Sequence, residues 1–238
     1  MFKRLSLDLK PDTFNDLIAA NEWETYDRNR QGAVLVRHEQ GLEHDYTPLV
    51  RTTTVCTMPS QPFSPLHFAI IDQIKESARQ PLDWNNAAAE VCDPGYKTMR
   101  FHCDQGLDLR PGSYIGIFSC YDDPKEPCPR RLVTRRKDGK ATSEVFLAHN
   151  SVVLFSTVTN DQYVHKIVGS GCTSKWLGAT FRTSHTFVDD DNRLVHNRKP
   201  LTLATEEEQL EFCRHKSMEN SCIGYKYPDI SYSLSSVV

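Results

Sequence analysis

The stretch "YKTMRFHCDQGLDL" (residues 96–109) reads as a β-strand that carries His102 and Asp104 where a strand normally places packing residues. Side chains two positions apart on a strand share a face, so His102 and Asp104 project together, with Thr98 and Arg100 behind them and Cys103 opposite. A polar face of this kind needs a partner if it is buried. A metal ion or an anion would supply one.

The same pattern continues downstream. From about residue 96 the chain breaks into short β-rich runs separated by turn residues: "YKTMRFHCD", "SYIGIFSCY", "RRLVTRR", "SEVFLA", "SVVLFST", "YVHKIV" and "KWLGATFRTSHTFV". So many strands in so short a span predict a sandwich or barrel, in a protein that is mainly β with flanking helices. The first 83 residues read as a mixed α/β cap. Within it, "PDTFNDLIAANEW" offers Asp12 or Thr13 as a helix N-cap, and "SPLHFAIIDQIKESA" has Ser64 to cap, Pro65 at the first helical position and Leu66, Ile70 and Ile74 on one face. After the β-rich region, Thr205 and Glu208 stand at capping-box spacing and predict a short late helix. The tail "SYSLSSVV" has nothing to tie it down, and frayed ends are expected there.

At 238 residues, 39% hydrophobic and 25% charged, the chain has the size and composition of one globular domain with decorations. A net charge of -3 gives no global electrostatic case for a nucleic-acid or anionic-membrane partner. "MFKRLSLDLKPDTF" puts charges where a signal peptide needs an apolar run, and no membrane span is evident, so a cytoplasmic or nuclear protein is expected. The eight cysteines form no CxxC pair and read as reduced thiols filling the core. Cys213, His215 and Cys222 in "CRHKSMENSC" match no common zinc-finger spacing.

Two charged segments invite functional readings. "PRRLVTRRKDGK" clusters Arg130, Arg131, Arg135, Arg136, Lys137 and Lys140 around an Asp-Gly turn, so residues 130–140 read as a solvated hairpin, with phosphate contact as the functional alternative. "VDDDNRLVHNRKP" reads as a surface turn.

The chemistry gathers on His102, Asp104 and His165. Two imidazoles and one carboxylate on one face of an octahedral Fe(II) leave the remaining positions free for a cosubstrate and dioxygen. A closed four-ligand site would leave none. A dicarboxylate cosubstrate also needs an anchor. Arg182 can pair bidentately with a carboxylate and Ser184 can add a hydroxyl, while Lys175, on the opposite face of a regular strand, is the rival. Arg100 is a further candidate contact for an acidic group. Tyr114 and Tyr121 read as sheet packing, and His149 and His185 as structural.

This order of His-x-Asp, strands, His, then a basic residue followed by Ser resembles the Fe(II)- and 2-oxoglutarate-dependent dioxygenases, which implies a double-stranded β-helix (jelly-roll, cupin-like) core. "WNNAAAEVCDPGYKTMRFHCD" is most similar to the AlkB-like branch, with Trp84, Asn85, Gly95, His102 and Asp104 in matching places and Glu90-Val91-Cys92 where that branch has Asn-x-Tyr. "ATFRTS" resembles both that branch's closing Thr-Phe-Arg, which leaves Trp176 at the place of a first arginine, and the Arg-x-Ser of other family members. "HKIVGSGCTSKW" spaces His165 and Lys175 as in prolyl 4-hydroxylases. The resemblance covers residues 84–188, expected as the jelly-roll core between the cap (1–83) and a C-terminal extension (189–238). It implies His102, Asp104 and His165 as metal ligands, and 2-oxoglutarate with dioxygen as cosubstrates. Arg182 and Ser184, or else Lys175, would hold the 2-oxoglutarate.

The acidic balance and the altered Asn-x-Tyr favour a small polar metabolite, such as an amino acid or derivative, as substrate. Nucleic acid bound through the 130–140 hairpin, or a protein side chain, are the alternatives. From other functional classes come an iron oxidase that uses no 2-oxoglutarate and a non-catalytic jelly-roll binding module.

Overall fold

The computed structural model describes residues 2–41, 44–50, 57–169, 171–197, 199–229 and 232–233. Its β-structure is mostly antiparallel and falls into three sheets. The largest runs in the order Lys3–Ser6, Ser151–Ser156, Tyr114–Tyr121, Trp176–Arg182, Asn86–Cys92, Arg30–Val36 and Glu24–Asp27, with Gln61–Pro62 added beside Arg30–Val36. The second holds Thr142–Phe146, Arg131–Arg136 and Tyr163–Val168 in that order. The third pairs Asp45–Pro48 with Thr186–Asp189 and extends through Leu194–His196 to Lys199–Leu203.

Strand periodicity divides the large sheet into two unlike faces. Ala87, Ala89, Val91, Leu177, Ala179 and Phe181 point outward and pack on Phe14 and Leu17 of helix α1 (Thr13–Ala19) and Ile70, Ile71 and Ile74 of helix α2 (Pro65–Ala78). The alternate residues Ala88, Glu90, Trp176, Gly178, Thr180 and Arg182 line a cavity on the opposite side. Ile115, Ile117, Trp176 and Phe155 from the large sheet share one core with Leu132 and Ile167 from the small one, so the two sheets face each other. The cavity opens between them.

Six of the seven β-rich runs form strands; the exception is "YKTMRFHCD". Residues 96–104 run alongside Tyr163–Val168 but meet it only at two bridges, Thr98 to Val168 and His102 to His165. The reason is competition for the backbone. Cys103 and Asp104 give their amides to the side chains of Asn220 and Asn160 (2.8 and 2.9 Å) instead of to a neighbouring strand.

Helix α3 (Thr157–Gln162), N-capped by Ser156, lies in "STVTNDQ", which carries no apolar stripe to announce it. Helix α4 (Glu206–Ser221) starts from the Thr205–Glu208 capping box but runs for 16 residues, taking in "CRHKSMENS" with Cys222 as its C-cap. His215 there packs on Tyr225 and Tyr227. "VDDDNRLVHNRKP" is more than a turn, since its flanks pair as a hairpin. Of the tail, residues 231 and 234–238 lie outside the described residues, as does Cys56; the other seven cysteines are free thiols, four of them buried. Among the described residues no helix is long and apolar enough to cross a membrane.

Helix α2 carries a pH-sensitive cap. The Ser64 amide donates to Nδ1 of His67 (2.9 Å), an imidazole in the place where a capping box usually has Glu or Gln. His67 is buried, and burial lowers its pKa to about 4. Unfolding returns it to about 6.5. The unfolded chain therefore binds the extra proton between these values, and stability is full above about 6.5 and falls as the pH drops toward 4. Urea unfolding at pH 7.5 and 4.5 should show roughly 2–3 kcal/mol more acid loss for the native protein than for His67→Gln. Equal losses would contradict the assignment.

Candidate metal centre

His102, Asp104 and His165 each present one ligand atom, and the three atoms lie within 4.8 Å of one another. Their convergence depends on the paired bridge. The His102 amide donates to the His165 carbonyl (3.0 Å) and the His165 amide to that of His102 (2.7 Å), which brings the two rings to a centroid separation of 4.7 Å. His102 Nδ1 lies 3.1 Å from the Arg100 carbonyl oxygen, so this ring presents Nε2 to the site. His165 Nε2 stands 4.0 Å from Asp104 Oδ2.

Asp104 is held by three hydrogen bonds from two residues. Asn160 accepts from its amide and donates to its carbonyl (2.9 and 2.6 Å), a reciprocal pair that fixes the backbone. Arg182 Nη2 bonds Oδ1. The second oxygen, Oδ2, is buried and has no hydrogen-bond partner. Burial by itself would raise the Asp104 pKa, but Arg182, His165 and His102 outweigh it and hold the carboxyl below its ordinary range. Burial and the neighbouring His102 lower His165 to about 3, so its imidazole is neutral at physiological pH and has a lone pair to give. An ionised carboxylate with one orphaned oxygen beside two available imidazoles fits a divalent cation.

The centre opens on a cavity of about 350 Å³. Ile117, Ile167 and Trp176 form its apolar wall, and Arg30, Glu90, Tyr96, Arg100, Arg182 and Lys216 its polar one. Gly178 is required there, because a Cβ would lie 2.0 Å from the Trp176 ring that covers it. The indole Nε1 of Trp176 is buried without a partner, and so are Nε and Nη1 of Arg182.

The expected site residues divide accordingly. His102, Asp104, His165, Arg182 and Arg100 share the cavity. Lys175 does not, being on the alternate face of its strand, where Nζ lies 3.4 Å from Asp93 in an exposed ion pair. Ser184 lies beyond the end of the strand, and its hydroxyl bonds the Thr186 carbonyl (3.0 Å). It lines only a small side pocket behind Arg182. Tyr121 is structural, giving its hydroxyl to the Leu147 carbonyl (2.7 Å), and Asn85 clamps the Ser184 backbone.

The 130–140 hairpin exists, but most of its charge is committed. Arg130 is buried against Trp176 and donates to the Tyr96 and Asp93 carbonyls; Arg131 pairs with Glu144 and Arg136 with Asp138; and Lys137 donates to the Glu219 carbonyl. Cations so occupied make a poor phosphate grip. Arg30, Glu90, Asn160 and Lys216 were not evident from sequence. Only Glu90 carried a signal, as a departure from the resembled motif.

No family profile matches the sequence, and no curated protein matches it. Among solved structures the chain is similar to a Pseudomonas putida prolyl-4-hydroxylase, with 14% identity and a TM-score of 0.44 over 76% of this chain and 92% of that one. A likeness this slight carries no argument about branch, cofactor or substrate.

Asn160 touches no ligand atom and holds Asp104 only by its backbone. Asn160→Ala should lower Fe(II) or Co(II) affinity by about 10- to 100-fold while the protein stays folded, as judged by metal titration and circular dichroism. Unchanged affinity would show that the loop needs no such support.

Proposed function

We propose that the chain is a non-haem Fe(II)- and 2-oxoglutarate-dependent oxygenase with His102, Asp104 and His165 as its metal ligands. The observation that carries this reading is the orphaned Oδ2 of buried Asp104, 4.0 Å from His165 Nε2 in a cluster that also holds His102, at the edge of a cavity large enough for a small cosubstrate. Strand order supports a double-stranded β-helix as the frame. Successive segments from residue 86 to 182 alternate between the large and small sheets, apart from the 131–146 hairpin, which stays in the small one.

Bound iron would supply activation of dioxygen and oxidation of an unactivated carbon. The chain's own residues do the remaining work. Arg182 occupies Oδ1 of Asp104 and so limits that carboxylate to one ligand atom, which keeps coordination positions open. Its unpartnered Nε and Nη1 would meet the end of 2-oxoglutarate nearest the metal, since an arginine bonded to a metal ligand stands too close to serve the far carboxylate. The far carboxylate would meet Arg30 and the Trp176 indole N–H. Both residues lie in register with Cys92 at the opposite end of the sheet from Arg182. Ile117, Ile167 and Trp176 would keep water from the reacting carbon.

Glu90 favours a second reading. Its carboxylate lies 3.6 Å from Arg30, and burial raises its pKa. An internal carboxylate in that place suits an iron oxidase that takes no 2-oxoglutarate.

Anaerobic addition of Fe(II) and 2-oxoglutarate should produce a visible charge-transfer band, and admission of oxygen should yield succinate; Asp104→Ala should lose both. Arg30→Met should weaken 2-oxoglutarate binding by about tenfold or more and leave Fe(II) affinity unchanged, as expected for the loss of a charged hydrogen bond. No band and no succinate would overturn the proposal. Iron-dependent oxygen consumption without 2-oxoglutarate would establish the second reading.

A further inference from the structure

Every carboxylate in or beside the cavity already has a cation or a donor. Asp104 is bound by Arg182, and Glu90 faces Arg30. Glu219, at the end of α4, accepts from the Gly106 amide (2.7 Å) and the Tyr227 hydroxyl (2.7 Å). Two cations in the lining have no such counterpart. Arg100 and Lys216 are exposed, both line the cavity, and neither is paired with an acidic side chain among the described residues. They come from parts of the chain far apart in sequence.

Their placement is built. Arg100 precedes the ligand His102 by two residues, and its carbonyl oxygen lies 3.1 Å from Nδ1 of that ring. Lys216 stands one turn before Asn220, whose Nδ2 donates to the Lys216 carbonyl (3.0 Å) and whose Oδ1 accepts from the Cys103 amide (2.8 Å). Helix α4 is thus fastened directly to the His102–Asp104 segment. The result is a pair of uncompensated positive charges where the metal cavity meets solvent.

We infer that Arg100 and Lys216 select the primary substrate, and that this substrate is a small molecule with a carboxylate or phosphate group remote from the carbon that is oxidised. The inference rests on the proposed metal centre and adds the substrate's charge to it. Two exposed cations at the rim of a partly apolar pocket focus the field there and attract an anion toward it. They also orient it, since a substrate held by its charged end presents the uncharged end to the interior.

The test uses the full chain loaded with Mn(II) and saturating 2-oxoglutarate. Binding of N-acetylglycine, methyl phosphate and the uncharged N-acetylglycinamide is followed by tryptophan fluorescence, because Trp176 lines the cavity. Water-proton relaxation separately reports whether Mn(II) is bound. At least one of the two anions should bind, more tightly than the amide and more weakly as salt rises; which of them binds distinguishes an acid from a phosphate ester. Arg100→Ala and Lys216→Ala should each weaken it by about two- to fivefold, as for exposed charge pairs. Lys216→Arg should retain binding, and the Arg100→Glu, Lys216→Glu double variant should lose it. Preference for the amide, equal binding of all three probes, no binding of either anion or indifference to these substitutions would overturn the inference. Absence of Mn(II) relaxation would instead count against the metal centre.

Discussion

The hydrogen bond between Arg182 and Asp104 is the constraint on which the rest of the site depends. A carboxylate that is buried and ionised is tolerated only if its charge is met within the protein. Arg182 meets half of that requirement by taking Oδ1 and leaves Oδ2 without a hydrogen bond, 4.0 Å from His165 Nε2. The surroundings follow from this division. Asn160 must hold the Asp104 backbone where the one free oxygen converges with the imidazoles, and the His102–His165 bridge must bring those rings together across the gap between the sheets. A bidentate Arg182–Asp104 pair would have satisfied the charge and closed the site.

The large sheet makes this arrangement possible because its two faces answer to different demands. One face is apolar and seats α1 and α2. The other carries Glu90, Trp176, Gly178, Thr180 and Arg182, residues that would be out of place in a core but suit the wall of a cavity. The two-residue period of a strand keeps these sets apart without any bend in the backbone. Gly178 leaves the space into which the Trp176 ring lies, and that ring in turn packs against Arg130.

Much of this was legible in the sequence, and for identifiable reasons. His102 and Asp104 were found by strand alternation although residues 96–104 form no continuous strand; two bridges to Tyr163–Val168 suffice to keep the local geometry extended. The same alternation separated Lys175 from Arg182. Helix α2 was legible from Ser64, Pro65 and its isoleucines, whereas His67 as a capping partner was not, because an imidazole accepts in that role only when neutral. Arg130 reads in sequence as part of a solvated hairpin, whereas the fold buries it against Trp176 and the Tyr96 and Asp93 carbonyls. Arg30, Asn160 and Lys216 lie outside any local pattern. Each reaches the site through sheet register, a short unannounced helix or the docking of α4, which are long-range consequences of folding.

Iron K-edge absorption of anaerobically Fe(II)-loaded protein tests the central claim most directly. The account predicts a first shell of nitrogen and oxygen with two imidazoles and no sulfur, reduced to one imidazole in His165→Ala. A sulfur neighbour, or a spectrum that the His165 substitution leaves unchanged, would place the metal elsewhere and contradict it.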